Sequence, residues 1–285
     1  ALPIWKKMQL GIRVHDTTKR PFEERIKEIH DLGFACGHLA LGKVIEEYST
    51  ADEAMTPGFA MYVKNVFAKN NVDIAVLGCY LNLANPNPEQ LAKTVHRYMA
   101  HIRFASLLGC GVVGTETGAP NETYTYTPEC HTEEALQTFI ANLRPIVKYA
   151  EQMGVIFAIE PVFRHIVWNP KQARRVLDEI QSPNLQIIFD PVNMLDITNY
   201  ENRQEIFDEA IDLLGEDIAM VHLKDFNVGD GRLLSCGCGM GIMDYTSILK
   251  FMKERKPFIH ATLEDTKPEN NQQAKNFILQ KYAEI

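Results

Sequence analysis

No apolar run in this 285-residue chain approaches the ~18 residues that a bilayer-spanning helix needs, so a transmembrane segment is not expected. The opening residues, Ala1-Leu2-Pro3-Ile4-Trp5-Lys6-Lys7, lack the apolar core of a signal peptide. Cysteine is sparse. The six cysteines, at 36, 79, 110, 130, 236 and 238, keep no framework spacing, and reduced thiols in a cytoplasmic protein are the simplest expectation. Cys236-Gly237-Cys238 is too closely set for a tetrahedral zinc site and has no second pair. Positive charge is also short. With 29 Lys+Arg against 37 Asp+Glu the net charge is −8, which argues against nucleic acid as the main partner. No Pro/Gly/Ser linker, charge block or low-complexity stretch divides the chain. No Gly-x-Gly-x-x-Gly turn follows the first strand candidate, which argues against an open dinucleotide-binding sheet.

What the chain does contain is a series of short β-rich runs that stop at one polar residue. Ala158-Ile159-Glu160, Ile187-Ile188-Phe189-Asp190, Ala219-Met220-Val221-His222 and Ala261-Thr262-Leu263-Glu264 share the pattern. Such a run reads as a buried parallel strand with the polar residue at its carboxyl end. Taken along the chain, strands are expected over 9–15, 36–41, 72–83, 111–115, 155–160, 185–190, 218–223 and 258–263. Helices are expected over 21–32, 57–70, 89–108, 133–153, 170–180, 200–214, 244–254 and 271–282. Gly33, Gly109, Gly154 and Gly215 stand where helices should stop, and Asp244 where one should be capped. A hydrophobic content of 46% supports a large core. Eight strands alternating with eight helices, at about 36 residues per unit, predict one (β/α)₈ TIM barrel spanning 1–285, an α/β fold. Two long connections stand out. The stretch 117–131, rich in Thr, Tyr and Pro, reads as a lid or rim over a pocket, and 229–241 reads as a glycine-rich loop.

The four polar stops are spaced 30, 32 and 42 residues apart, one βα unit or slightly more each. The fifth to eighth strands would therefore each present one ligand at the same end of the barrel. One carboxylate at a strand end is an ordinary rim residue. Four stops in a row, three carboxylates and an imidazole, form a hard, oxygen-rich set that suits one divalent ion with positions left for substrate oxygens. Mn²⁺ is the first expectation; Mg²⁺ and Co²⁺ also fit, and Zn²⁺ less obviously.

The motifs Ile159-Glu160-Pro161, Phe189-Asp190-Pro191-x-Asn193, Val221-His222-Leu223-Lys224-Asp225, Leu263-Glu264-Asp265 and Gly239-x-Gly241-Ile242-Met243-Asp244-Tyr245 resemble those of the xylose-isomerase-like barrel superfamily of sugar isomerases and epimerases. The resemblance runs from the first strand to the last. It implies that Glu160, Asp190, His222 and Glu264 bind the metal, and that Glu160 and Glu264 also act as catalytic acid and base on opposite faces of a sugar or polyol. Proton transfer would then pass through a metal-stabilised enediolate. Ketose 3-epimerases of this kind carry His where this chain has Asn193, and Arg where it has Val228. Inosose dehydratases also carry a His-x-Lys-Asp motif, so a metal-dependent dehydratase acting on a cyclic polyol ketone is the alternative, with a non-catalytic sugar- or metal-binding barrel third. The extra histidines of the related three-zinc endonuclease IV are missing. Further candidate substrate contacts are His15, Glu116, His165, Asn193 and Lys224. Trp168 could flank the sugar or cover the barrel top. A homo-oligomer is left open.

Overall fold

The computed structural model describes residues 8–285. The barrel strands are β1 (Gln9–Arg13), β2 (Cys36–Leu39), β3 (Asp73–Gly78), β4 (Val112–Glu116), β5 (Ile156–Glu160), β6 (Leu185–Phe189), β7 (Ile218–Leu223) and β10 (His260–Leu263). They pair in parallel and close in the order β1-β10-β7-β6-β5-β4-β3-β2. This is the (β/α)₈ barrel expected from the alternation, and its closure aligns all strand carboxyl ends on one face.

The surrounding helices include α1 (Phe22–Asp31), α2 (Leu41–Val44), α3 (Pro57–Lys69), α4 (Pro88–Leu108), α5 (Glu133–Met153) and α6 (Pro170–Ile180). After them come α7 (Arg203–Leu214), α8 (Thr246–Arg255) and α9 (Asn271–Glu284). Their starts are written locally. Thr56, Asn87 and Asn169 each stand before a proline and accept a backbone N–H of the first turn through their side-chain oxygens. Gly109 and Gly154 end α4 and α5 in the left-handed conformation, at φ 75° and 66°. Gly215 differs. Its φ of −53° is right-handed, because the chain runs from α7 into a 3₁₀ turn over 215–217 before β7.

Two apolar layers result. The larger lies between strands and helices, with Phe22, Phe104, Phe139, Phe157 and Phe207 wholly buried. The smaller fills the barrel with Cys36, Ala75, Val76, Ala158, Ile188 and Met220. The interior is tight: a Cβ at Gly11 would lie 2.2 Å from the Cys36 carbonyl oxygen, which is backbone and cannot yield.

Three connections depart from the sequence reading. β3 ends at Gly78 rather than at 83, and residues 79–82 have no regular structure. The Asn82 side-chain amide donates to the carbonyls of Ala119 and Asn121 and its oxygen accepts from the Ala119 N–H, so the stretch 117–131 is tied down at its base. The glycine-rich stretch 229–241 contains half of an antiparallel hairpin, β8 (Asp225–Gly229) with β9 (Arg232–Cys236). Its Asp230-Gly231 turn has both φ angles positive, 51° and 69°, the backbone that a tight two-residue hairpin needs. Among the described residues no helix is long and apolar enough to cross a membrane.

His101, on α4, is buried against its neighbours, and its Nδ1 lies 2.9 Å from the Arg97 carbonyl oxygen. Burial lowers its pKa to about 4. The fold therefore holds the neutral ring, and its contribution is complete above pH ~6.5 and lost as the pH falls toward 4. The full loss is about 3 kcal/mol. His101→Gln should flatten the stability-versus-pH curve between pH 6.5 and 4 in urea titrations; an acid limb as steep as that of the parent protein would count against this assignment.

Candidate metal and proton-transfer site

Glu160 is the last residue of β5, Asp190 follows β6, His222 lies near the end of β7 and Glu264 follows β10. These four strands are neighbours in the closed sheet, so the stops converge from adjacent positions. All four side chains are buried, at 2%, 1%, 0% and 5% exposure. His222 Nδ1 lies 3.2 Å from Glu160 Oε2 and 3.2 Å from Glu264 Oε1. Neither contact is aligned as a hydrogen bond, and both His222 ring nitrogens lack hydrogen-bond partners. The ligand atoms fall into two overlapping triads, Glu160–Asp190–His222 and His38–His222–Glu264, each with all its atoms within 4.8 Å of one another. Either triad can hold a cation.

The supporting shell is polar and specific. Asp190 Oδ1 accepts from the backbone N–H groups of Val192 and Asn193, which fixes the carboxylate as it leaves the strand. Asn193 Nδ2 donates to Glu160 Oε1. Lys224 Nζ lies 2.8 Å from Asp190 Oδ2 and 3.4 Å from Glu264 Oε2. Arg13, at the end of β1, reaches Glu264 Oε2 at 3.5 Å, Asp265 at 2.8 Å and Asp16 at 2.9 Å. The electrostatics follow. Burial alone would lower the His222 pKa, but Glu264 and Glu160 raise it to about 9. Burial would raise that of Glu264, yet His222, Lys224 and Arg13 hold it well below the carboxylate range. Asp190 goes the other way, up to about 6, because burial outweighs Lys224.

Two of the four stops, Glu160 and Glu264, line a cavity of about 360 Å³ together with Arg13, His15, His38 and Glu116 among others. Asn193 and Lys224 also line it. His15 Nδ1 is buried without a hydrogen-bond partner, and burial together with Arg13 and Lys43 lowers the ring pKa to about 4. Glu116 Oε2 accepts from the Tyr124 hydroxyl at 3.2 Å. His165 stands behind this pair, its Nδ1 3.8 Å from Glu116 Oε2 and its ring against Tyr124. Trp168 stacks on His131 at 4.5 Å and meets Phe163 edge-on, and it is not among the residues that line the cavity.

Six residues that line the cavity escaped the sequence reading: Lys43, Ser235, Arg13, Asp265, His38 and Tyr80. Arg13 ends an apolar run just as Glu160 does, and the same rule could have found it. Asp265 was quoted only as part of a motif. His38 sits within the four-residue β2, too short for alternation to reveal its face; its ring stacks on His222 at 5.3 Å and its Nε2 lies 3.1 Å from the Tyr80 hydroxyl. Tyr80 lies in the irregular segment just after β3 and carries no periodic signal at all.

The chain matches the family described as xylose isomerase-like TIM barrel over residues 26–280, and it belongs to that family. Its structure is similar to that of a D-tagatose 3-epimerase-like protein, with TM-score 0.75, 22% identity and 97% of each chain covered. It is also similar to 3-keto-D-glucoside 4-epimerase YcjR from E. coli, apo form, with TM-score 0.72, 14% identity, 97% of this chain and 98% of that chain. The IolI protein with a bound zinc atom aligns with TM-score 0.70 and 17% identity, over 97% of this chain and 96% of that one. At these identities the likenesses establish the fold. No curated protein sequence matches the chain.

The Lys224-Asp225 pair also explains the glycine motif downstream. Asp225 is buried, and its carboxylate accepts from the N–H groups of Phe226, Gly239 and Met243. A Cβ at Gly241 would lie 2.4 Å from Asp225 Oδ1 and 2.2 Å from the Phe226 carbonyl oxygen, so the loop closes this tightly only over glycine. Asp225→Ala leaves three backbone donors unpaired. It should cost on the order of 2–4 kcal/mol and speed amide exchange over 239–243, read by hydrogen–deuterium exchange mass spectrometry. Unchanged exchange there would refute the clamp.

Proposed function

We propose that this protein is a divalent-metal-dependent isomerase or epimerase of a small sugar or polyol, working by proton transfer at a carbon next to a carbonyl. The observation that carries the reading is the placement of Glu160 and Glu264 on either side of His222, each 3.2 Å from Nδ1, at the floor of a polar cavity. Glu160, Asp190, His222 and Glu264 are the residues that would hold the ion. The donor set fits: three buried carboxylates, and an imidazole with neither nitrogen hydrogen-bonded. Its oxygen-rich chemistry favours Mn²⁺ over Zn²⁺. When bound, the ion would polarise a substrate carbonyl and stabilise the charge that develops on its oxygen.

The protein's own groups do the rest. Asn193 holds one Glu160 oxygen and leaves the other on the His222 side. Arg13 and Lys224 flank Glu264. One glutamate removes the carbon-bound proton and the other returns it from the opposite side, which inverts the centre or moves the carbonyl. Glu116 and His15, which also line the cavity, would contact substrate hydroxyls. The reading places the protein in carbohydrate metabolism, in the cytoplasm, with a small molecule rather than nucleic acid as its partner.

The test is solvent exchange. In ²H₂O with Mn²⁺, candidate ketoses should acquire deuterium at a carbon beside the carbonyl with the skeleton unchanged, as read by NMR. Loss of water from the product would identify a dehydratase instead, and neither change over a broad panel would sink the enzymatic reading. Glu264→Gln and Glu160→Gln should each slow exchange by roughly 10²–10⁴-fold. Chelation followed by Mn²⁺ addition should abolish and then restore it.

A further inference from the structure

Among the four strand-end residues, Asp190 belongs to one ligand triad and Glu264 to the other. These are the two carboxylates that Lys224 bridges, at 2.8 Å and 3.4 Å. Lys224 lies just beyond β7, and β7 lies between β6 and β10 in the sheet, so its ammonium is wedged between carboxylates delivered by the strands on both sides. The residue is only 5% exposed. Its backbone is held in place, since the Tyr245 hydroxyl donates to the Lys224 carbonyl at 2.9 Å and Asp225 is clamped next door. The side chain, in contrast, is a flexible four-carbon stem with a second acceptor in reach. Asp265 Oδ2 lies 4.0 Å from Nζ, on the cavity side, and the Asp265 side chain is 31% exposed.

We propose that Lys224 is a built-in counter-ion that competes with a divalent cation for Asp190 and Glu264, and that on cation binding its ammonium swings toward Asp265 and the cavity. This rests on the metal reading above. The physical argument is charge and space. Three buried carboxylates need positive charge near them at all times, and without an ion Lys224 supplies it at 2.8 Å from Asp190 and 3.4 Å from Glu264. A divalent ion that draws Asp190 and Glu264 into one shell must take the place the ammonium fills, because two cations at that separation repel. The swing would also present a donor to substrate hydroxyls only once the ion is seated, so that assembly of the ion site and of the substrate site is one event.

The experiment needs no substrate. Chelator-treated parent protein and Lys224→Met are titrated with MnCl₂ by calorimetry, and the melting temperature is read with and without the ion. Lys224→Met should bind Mn²⁺ tenfold or more tightly than the parent protein. It should melt lower than the parent without the ion, and close that gap at saturating Mn²⁺. Equal or weaker binding in the variant overturns the competition while leaving the metal reading intact. Failure of the parent protein itself to bind Mn²⁺, Mg²⁺, Co²⁺ or Zn²⁺ overturns the metal reading and this inference with it. Should Lys224→Met not fold, the parent protein supplies the second test. Acetylation of Lys224 by acetic anhydride, quantified by peptide mass spectrometry against exposed Lys148 on α5, should rise when Mn²⁺ is added. A constant or falling ratio refutes the swing.

Discussion

Mutual repulsion among Glu160, Asp190 and Glu264 is the constraint on which the rest of the molecule depends. Two like charges about 4 Å apart cost roughly 4 kcal/mol at an effective dielectric of 20, and three such groups lie here with almost no access to water. An arrangement that costly persists only if the scaffold fixes the backbone beneath each charge and supplies compensating cations. A closed parallel barrel does the first. Neighbouring strands end at a common level, so residues separated by one βα unit arrive side by side without any loop having to hold them. The strands' own apolar residues do the anchoring, from Ala158 to Leu263, and the polar stop is simply the first side chain past the packed layer.

Compensation comes from three directions. His222 stands between the two glutamates from β7. Lys224, two residues on, serves Asp190 and Glu264. Arg13 arrives from β1 on the far side of β10 and forks among Glu264, Asp265 and Asp16. The backbone at Asp265 is left-handed, φ 53°, a conformation that costs a non-glycine residue of order 1 kcal/mol or more. Arg13 holds the side chain of that residue, which links the strained turn after β10 to the orientation of Glu264. Farther out, the same logic governs the loops. Asn82 ties the chain after β4 to the chain after β3, and Asp225 folds 239–243 back onto the barrel mouth. Each is a buried side chain that satisfies backbone donors or acceptors which would otherwise have no partner.

The sequence announced the barrel and its four stops because both are written in local order. Apolar runs of strand length, Asn-Pro and Thr-Pro helix starts and closing glycines recur at a steady period, and a charged residue directly after Ile159 or Phe189 is hard to overlook. What it concealed depends on geometry that no period encodes. His38 faces the site from the middle of a strand too short to show alternation. Tyr80 lies in an irregular segment just past β3. Gly215 looked like a left-handed helix stop, but a 3₁₀ turn carries the chain onward and the residue never uses its conformational freedom. The hairpin was different in kind. Asp230-Gly231 is a strong turn signal, yet the glycines that follow at 237, 239 and 241 made the whole stretch look like open loop. Only the Asp225 clamp distinguishes the glycines that pack from the one that turns.

The two glutamates that approach His222 Nδ1 stand in chemically unlike surroundings. Glu264 is ringed by Arg13 from β1 and by His222 and Lys224 from β7 and its end, and is held firmly as the anion. Glu160 has a neutral amide, Asn193, on one oxygen and the imidazole on the other. A histidine at position 193, as the resembling epimerases carry, would add a group able to charge beside Glu160. Asparagine donates the same hydrogen bond without that option, and in this chain the positive charge sits instead at Lys224, facing the opposite glutamate. Cations thus gather around Glu264, while a neutral amide holds the far oxygen of Glu160.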